Sequence, residues 1–117
     1  MVEMKGTEKQ VAWANDIRER VVKLQNWMVE NVTDLKVSKK YPESKETVFN
    51  KINEVLQNDQ AKFWIENFGD VRSTDNLADV FAYLNGLHKV IETENSGERF
   101  VMSQLDRKAP RAWAVQN

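Results

Sequence analysis

Residues 6–32 read GTEKQVAWANDIRERVVKLQNWMVENV, and this stretch has the pattern of one long amphipathic helix. Thr7 suits the N-cap, and Gln10 three positions later completes a T-x-x-Q capping box, in which the two side chains bond two backbone N–H groups at the helix start. Apolar residues then recur at intervals of three or four, which places them on one helical face. They are Trp13, Ile17, Val21, Leu24, Met28 and Val32. We therefore predict a long first helix whose apolar face lies on the core.

The middle of the chain repeats this spacing in three shorter segments. A second helix is expected over about residues 44–56. A third follows, with Asp59 as its N-cap and Gly69 as a left-handed C-cap. A fourth is expected to begin after residues 73–75 and to stop at Asn85-Gly86. The apolar residues expected in the core include Val48, Ile52, Phe63, Trp64, Phe68, Leu77, Val80, Phe81 and Leu84.

The last part of the chain, residues 88–117, has a weaker pattern. The stretch LHKVIETENSGERFVMSQL fits either continued helix or two short strands around the turn Asn-Ser-Gly. In the strand interpretation the pair Val90-Ile91 lies opposite the pair Phe100-Val101, and this hairpin is our expectation. The predicted fold class is therefore mainly α, a bundle of three to four helices, with a small C-terminal β-hairpin that would make the fold α+β.

A chain of 117 residues can bury one core without disulfide bonds, so we predict a single domain, residues 1–117. Its expected parts are a first helix over residues 6–32, a loop over 33–43, a helical core over 44–87 and a hairpin or irregular arm over 88–117. No run approaches the roughly 20 apolar residues of a membrane span, and the start has no apolar signal region. The chain has no cysteine, which fits a reducing compartment. We predict a location in bacterial or host-cell cytoplasm, with no membrane association.

Few residue types that support catalysis are present. His88 is the single histidine and there is no cysteine, which excludes a multi-histidine metal site and a Cys–His pair. The four glycines are far apart, so the sequence has no phosphate-binding loop. Carboxylates four residues apart on an exposed helix offer only two oxygens to a divalent ion. We predict a structural or exposed His88, no enzymatic activity, no metal, no cofactor and no small-molecule substrate.

Overall charge is nearly balanced, with 17 basic and 18 acidic residues, but the middle of the chain is acidic. Residues 53–87 hold six acidic and two basic side chains. An acidic helical face suits a protein with a basic groove of the kind that holds nucleic acid, because complementary charge speeds association. A solvated helix exterior is the alternative interpretation. The face predicted to bind a partner consists of Glu66, Asp70, Asp75 and Asp79.

Two basic clusters support an alternative hypothesis, which is nucleic-acid binding. One lies in the loop around Tyr41 and the other lies in the C-terminal tail. Cations beside an aromatic ring form the combination that binds single-stranded nucleic acid. A solvated loop and a solvated tail are the alternatives. The residues predicted for this site are Lys36, Lys39, Lys40, Arg107, Lys108, Arg111 and Trp113.

Trp13 and Trp27 lie two heptads apart, so they share a face of the first helix. If the core covers only part of that face, the remaining indole surface would anchor a partner, since exposed tryptophan is typical of interfaces. Burial in the core is the main expectation. Pairing of two copies through this helix, as a homodimer, is a third hypothesis.

Two short segments carry a resemblance to a known group of proteins. Residues 6–18, GTEKQVAWANDIR, and residues 61–68, AKFWIENF, resemble the opening and central motifs of small uncharacterised proteins found in bacterial, phage and plasmid genomes. Together they cover about a fifth of the chain. The resemblance implies a mobile-element setting, in which small non-enzymatic proteins often act by occluding a host machine such as a CRISPR nuclease.

These observations lead to one main hypothesis about function. We expect a non-enzymatic accessory protein of a phage or mobile element that binds another macromolecule through its acidic face. An inhibitor of a host nuclease or defence complex, similar to an anti-CRISPR protein, is the specific form of this hypothesis. A protein partner is expected ahead of nucleic acid.

Overall fold

The structure is a computed structural model that describes residues 4–32 and 34–116. Within them are five helices, which are α1 (Glu8–Asn31), α2 (Ser44–Val55), α3 (Ala61–Phe68), α4 (Leu77–Ile91) and α5 (Ser96–Gln116). These residues form no strand, so the mainly α fold class is confirmed, whereas three to four helices is an underestimate. Residues 1–3, Thr33 and Asn117, which belong to the predicted domain, loop and C-terminal arm, lie outside the described residues.

α1 begins with the predicted capping box. The Thr7 hydroxyl accepts a hydrogen bond from the Gln10 N–H at 3.3 Å, and the Gln10 side chain accepts one from the Thr7 N–H at 3.1 Å. The predicted apolar stripe is buried from Ile17 onward. Trp13 is the exception, since it is 52% exposed while Ala14 beside it is buried. Both residues fit the spacing before Ile17, and the smaller one faces the core.

Aromatic residues of α3 and α4 form the centre of the core. Trp64 and Phe68 are fully buried, and their ring centroids lie 5.6 Å apart. The Trp64 indole N–H donates to the Asn58 carbonyl at 2.9 Å, so its polar atom is satisfied. The Phe68 ring stacks on Tyr83 of α4 with centroids 6.5 Å apart. α3 therefore carries the aromatic centre of the core, as its sequence predicts.

Gly86 lies inside α4, so the predicted stop at Asn85-Gly86 is wrong. A Cβ atom at residue 86 would collide with the Phe68 ring and with the Asn67 carbonyl oxygen. The missing side chain allows α4 to approach α3 closely. This glycine serves helix packing rather than helix termination.

Three other predicted helix ends also differ from the structure. Asp59 does not cap α3, because its N-cap position is held by Gln60 and no side chain bonds there. Gly69 ends α3 in a right-handed conformation with φ −60°, not in the left-handed one. The N-cap of α4 is Asn76, so none of residues 73–75 takes that position.

The predicted C-terminal hairpin is wrong. α4 continues to Ile91, and residues 92–95 lead into α5, which packs on α4. The Asn95 side chain accepts a hydrogen bond from the Gly97 N–H at 2.8 Å and so caps the first turn of α5. The buried apolar residues of α5 follow helical spacing and are Val101, Met102, Leu105 and Ala109. The apolar pairs that suggest two strands belong instead to two antiparallel helices.

Candidate nucleic-acid interface

The connection between α1 and α2 lies along α5, and one side chain holds it there. Gln104 is buried in α5, and its Oε1 accepts a hydrogen bond from the Lys36 N–H at 2.7 Å. The Nε2 of Gln104 donates to the Lys36 carbonyl oxygen. Because one amide side chain bonds both backbone groups of Lys36, it fixes the position of the connection on the helix.

Further contacts hold the connection at both of its ends. Lys108 Nζ donates to the Asp34 carbonyl at 2.8 Å and pairs with the Asp34 carboxylate at 3.0 Å. At the other end, Gly97 has no room for a side chain because Tyr41 and Ser44 lie against it. Residues 34–41 therefore run antiparallel to α5, from the level of Lys108 to the level of Gly97.

This arrangement brings the two predicted basic clusters onto one surface, although about 70 residues separate them in the chain. Arg107 and Arg111 lie one turn apart and are exposed, and the lysines of the connection lie beside the same helix. We call this surface the basic face. Its members are Lys36, Lys39, Lys40, Arg107, Lys108 and Arg111.

The three acidic groups within the two segments that form the basic face are all engaged. Residues 34–41 and 96–116 contain seven cations and three acidic residues. Asp34 pairs with Lys108 at 3.0 Å, Glu98 pairs with Lys51 at 2.8 Å, and Asp106 bonds His88 Nε2 at 2.8 Å. The hydrogen bond and charge of Lys108 lower the pKa of Asp34, which keeps that carboxylate ionised. The rest of the chain holds ten cations and fifteen acidic residues, so positive charge is concentrated on one surface.

Trp113 does not belong to the basic face. Its ring packs edge-on against Trp27 of α1, with centroids 5.2 Å apart at 77°. Trp113 lies two residues from Arg111 on the same helix, so the two side chains project from different sides of α5. The predicted stacking role of Trp113 is therefore not supported by its position.

Two other aromatic rings lie near the cations. Tyr41 belongs to the lysine cluster predicted from the sequence, whereas Phe100 was missed. Phe100 is exposed on α5 two turns before Arg107, hence on the same side of the helix. Tyr41 lies beneath Lys40, whose Nζ is 5.5 Å from the ring centroid. The spacing of Phe100, Arg107 and Arg111 would have indicated this arrangement if the segment had been interpreted as helix.

The predicted acidic face is not one surface, because Asp79 is only 4% exposed. Its carboxylate accepts hydrogen bonds from the Arg72 N–H at 2.9 Å, the Ser73 N–H at 3.1 Å and the Ser73 hydroxyl at 2.6 Å. Burial raises the pKa of Asp79, but these hydrogen bonds outweigh it and the pKa lies below its ordinary value. Asp79 thus holds the turn before α4 and is not a partner-binding residue.

The other three acidic residues are exposed but have cations nearby. Glu66 pairs with Lys62 at 3.7 Å on α3. Asp75 lines a cleft of about 270 Å³ that also contains Arg20 and Arg72. Asp70 lies beside Arg72 at a separate cleft. Nearby cations therefore interrupt the acidic charge of the predicted face.

Within residues 4–32 and 34–116, no cluster of three or more histidine, aspartate or glutamate side chains is arranged to hold a metal ion. No helix in this part of the chain is long and apolar enough to cross a membrane. Comparison with known proteins found no matching protein-family model, no matching curated protein and no matching solved structure.

Proposed function

We propose that this protein is a non-enzymatic nucleic-acid-binding protein whose basic face contacts the phosphate backbone. The observation that carries the proposal is the attachment of residues 34–41 to α5 by Gln104 and Lys108, since it joins two distant cation clusters into one surface. Lysine and arginine side chains that neutralise phosphates release counterions, and this supplies most of the affinity in sequence-independent binding.

The dimensions of the basic face fit a short length of nucleic acid. From Gly97 to Arg111, α5 extends about 21 Å at 1.5 Å per residue. That length matches roughly six phosphates along one strand of a duplex, at about 3.4 Å per step. Five of the six cations form no ion pair with another described residue, and those five are Lys36, Lys39, Lys40, Arg107 and Arg111.

The test is fluorescence anisotropy with labelled DNA and RNA oligonucleotides of mixed sequence, both single-stranded and duplex. The double variant Arg107→Glu/Arg111→Glu should bind at least about tenfold more weakly than the natural chain at low salt, because it removes two phosphate contacts and adds repulsion. The matched control is Lys9→Glu/Lys62→Glu, which makes the same change in net charge at exposed sites outside the basic face. Equal losses in both variants, or no binding by the natural chain at low salt, would refute the proposal.

A second candidate function is docking on a protein, and exposed apolar residues of α4 support it. Leu77 and Phe81 lie one turn apart and are both exposed, with Asp75 just before them in the chain. An aromatic anchor with charged residues around it is typical of protein interfaces. The resemblance to mobile-element proteins supports a host nuclease or defence complex as the partner in this proposal. A purified nuclease of that kind should lose affinity for Phe81→Ala and keep it for Phe100→Ala.

Self-association through α1 is tested separately. Trp13 is exposed on α1 and would lie in such an interface. A homodimer should show a molar mass that rises with concentration in light scattering, and Trp13→Ala should abolish the rise. A constant monomer mass in the natural chain would exclude this function of α1.

A further inference from the structure

α1 and α2 do not pack directly on each other, and an open groove of about 630 Å³ lies between them. Val29 of α1 forms one apolar wall and is 49% exposed. Phe49 of α2 and Leu56, which follows directly after α2, form the opposite wall. An apolar groove between two helices is a common form of site for a partner helix.

A buried amide side chain opens onto this groove. Gln25 is only 3% exposed, and its Oε1 accepts a hydrogen bond from the Tyr83 hydroxyl. Burial raises the pKa of Tyr83, so that hydroxyl keeps the proton that it donates to Gln25. The remaining amide atom of Gln25 is therefore its Nε2.

The Nε2 of Gln25 forms no hydrogen bond with any described residue. In the part of the chain that the structure describes, every side-chain nitrogen or oxygen that is fully buried has a hydrogen-bond partner. An atom without a partner, such as this Nε2, is therefore not fully buried. It follows that Nε2 reaches the space of the groove, where Gln25 is a lining residue. A largely buried donor that faces an apolar groove offers a hydrogen bond to an occupant.

We propose that this groove binds an amphipathic helix of a protein partner, whose apolar side chains contact Val29, Phe49 and Leu56 and whose one side-chain oxygen accepts a hydrogen bond from Gln25 Nε2. This site is separate from the basic face and does not depend on the proposed nucleic-acid binding.

The shape and charge of the groove select this occupant. Its α2 wall runs from Lys45 to Leu56, which is about 17 Å or three helical turns at 1.5 Å per residue. Partner helices dock through residues at i, i+3 or i+4, and i+7, which span about 10 Å. A small molecule is usually enclosed by its pocket, whereas this groove is open. The lining carries one anion, Glu30, and one cation, Lys45, so it has no net charge to attract a polyanion.

The test uses a displayed library of 16-residue helical peptides with randomised positions on one face. The enriched peptides should carry apolar residues at i, i+3 or i+4, and i+7, with Asn, Gln, Asp or Glu on the same face. A synthetic enriched peptide should bind Val29→Glu at least about tenfold more weakly than the natural chain, because a carboxylate then lies in the apolar wall. The matched control is Val115→Glu, since Val115 is 88% exposed on α5 and does not line the groove; it should bind as the natural chain does.

A second variant tests the hydrogen bond itself. Gln25→Glu keeps an oxygen for the Tyr83 hydroxyl and places an oxygen, not a donor, in the groove. The preference should then reverse, so that replacing the acceptor residue of the peptide by Lys restores affinity. Thermal melting of each variant establishes that it is folded.

Three results would overturn the proposal. They are no enrichment from the library, equal binding of the enriched peptide to Val29→Glu, and peptide-induced NMR shifts that do not include Val29, Phe49 and Leu56. Oligonucleotide binding by Val29→Glu should equal that of the natural chain, so failure of this proposal is distinguishable from failure of nucleic-acid binding.

Discussion

At the scale of single residues, Asp79 was predicted to lie on an exposed binding surface but has a structural role in the fold. Its type and helical position are those of an exposed acidic residue, and only the fold of the preceding turn brings Arg72 and Ser73 to its carboxylate. A carboxylate that accepts several hydrogen bonds is stabilised in its ionised form. The consequence can be measured as stability against pH.

We expect Asp79→Asn to lower the free energy of unfolding by about 1–3 kcal/mol near neutral pH, because hydrogen bonds to a charged acceptor are weakened. The pKa of Asp79 in the fold lies below its ordinary value of 3.8. Its contribution is therefore present above pH 3.8 and is lost as pH falls through the folded-state pKa. Urea titrations at several pH values should show the difference between the two proteins shrinking below about pH 4. Asp75→Asn, at an exposed site, should show no such loss, and a difference that persists at low pH would contradict this role.

Gly86 provides a second prediction at this scale. Alanine is the better helix former by about 1 kcal/mol, so Gly86→Ala would stabilise an exposed helix. Here the added methyl group collides with the Phe68 ring, and we expect a net loss of about 1–3 kcal/mol of stability. The control is Asn85→Ala at the exposed neighbouring position, which should be neutral or stabilising. Thermal or urea unfolding compares the two, and a more stable Gly86→Ala would show that α3 moves away easily.

At the scale of elements, the sequence predicts what depends on local pattern. The capping box and apolar stripe of α1 are visible because their partners lie three or four residues away. The end of α4 and the whole of α5 cannot be recognised from the sequence in this way. The pairs Val90-Ile91 and Phe100-Val101 suit a strand and a helix equally well. Packing of α5 on α2 and α4 decides between them.

The candidate site was predictable in its residue types and not in its assembly. Lysine and arginine clusters indicate affinity for phosphate wherever they occur. Their meeting on one surface depends on Gln104 bonding Lys36, a contact across 68 residues that no local pattern encodes. The α1–α2 groove likewise lies between two helices that are far apart in the packing of the core, and no local pattern indicates it.

Gln104 therefore gives a prediction for the whole connection. Gln104→Leu removes both hydrogen bonds to Lys36 and leaves those backbone groups unpaired. We expect faster amide hydrogen exchange over residues 34–41 and weaker oligonucleotide binding, because the lysines are no longer held beside α5. Ser103→Ala, at the exposed neighbouring position, should change neither property. Weaker binding without faster exchange would mean that Gln104 acts otherwise than by positioning this segment.

At the scale of the whole molecule, charge separates the two proposed surfaces. The net charge is −1, yet the two stretches that form the basic face carry seven cations against three acids. With such a distribution the basic face attracts a polyanion and the rest of the surface repels the polyanion, so the protein approaches it in one orientation. The lining of the α1–α2 groove has no net charge, so electrostatic attraction of this kind does not contribute to binding there.

Salt should therefore distinguish the two binding events. If the five unpaired cations of the basic face contact phosphates, the logarithm of duplex-DNA affinity should fall against the logarithm of salt concentration with a slope near −4.5 at most, at about −0.9 per contact. Arg107→Glu/Arg111→Glu should reduce this slope by about two units, since two contacts are lost. The affinity of a groove-binding peptide should change little over the same salt range, because burial of apolar area supplies it. Anisotropy titrations from low to physiological salt measure both, and a salt-independent DNA affinity would show that phosphate contacts do not hold the complex together.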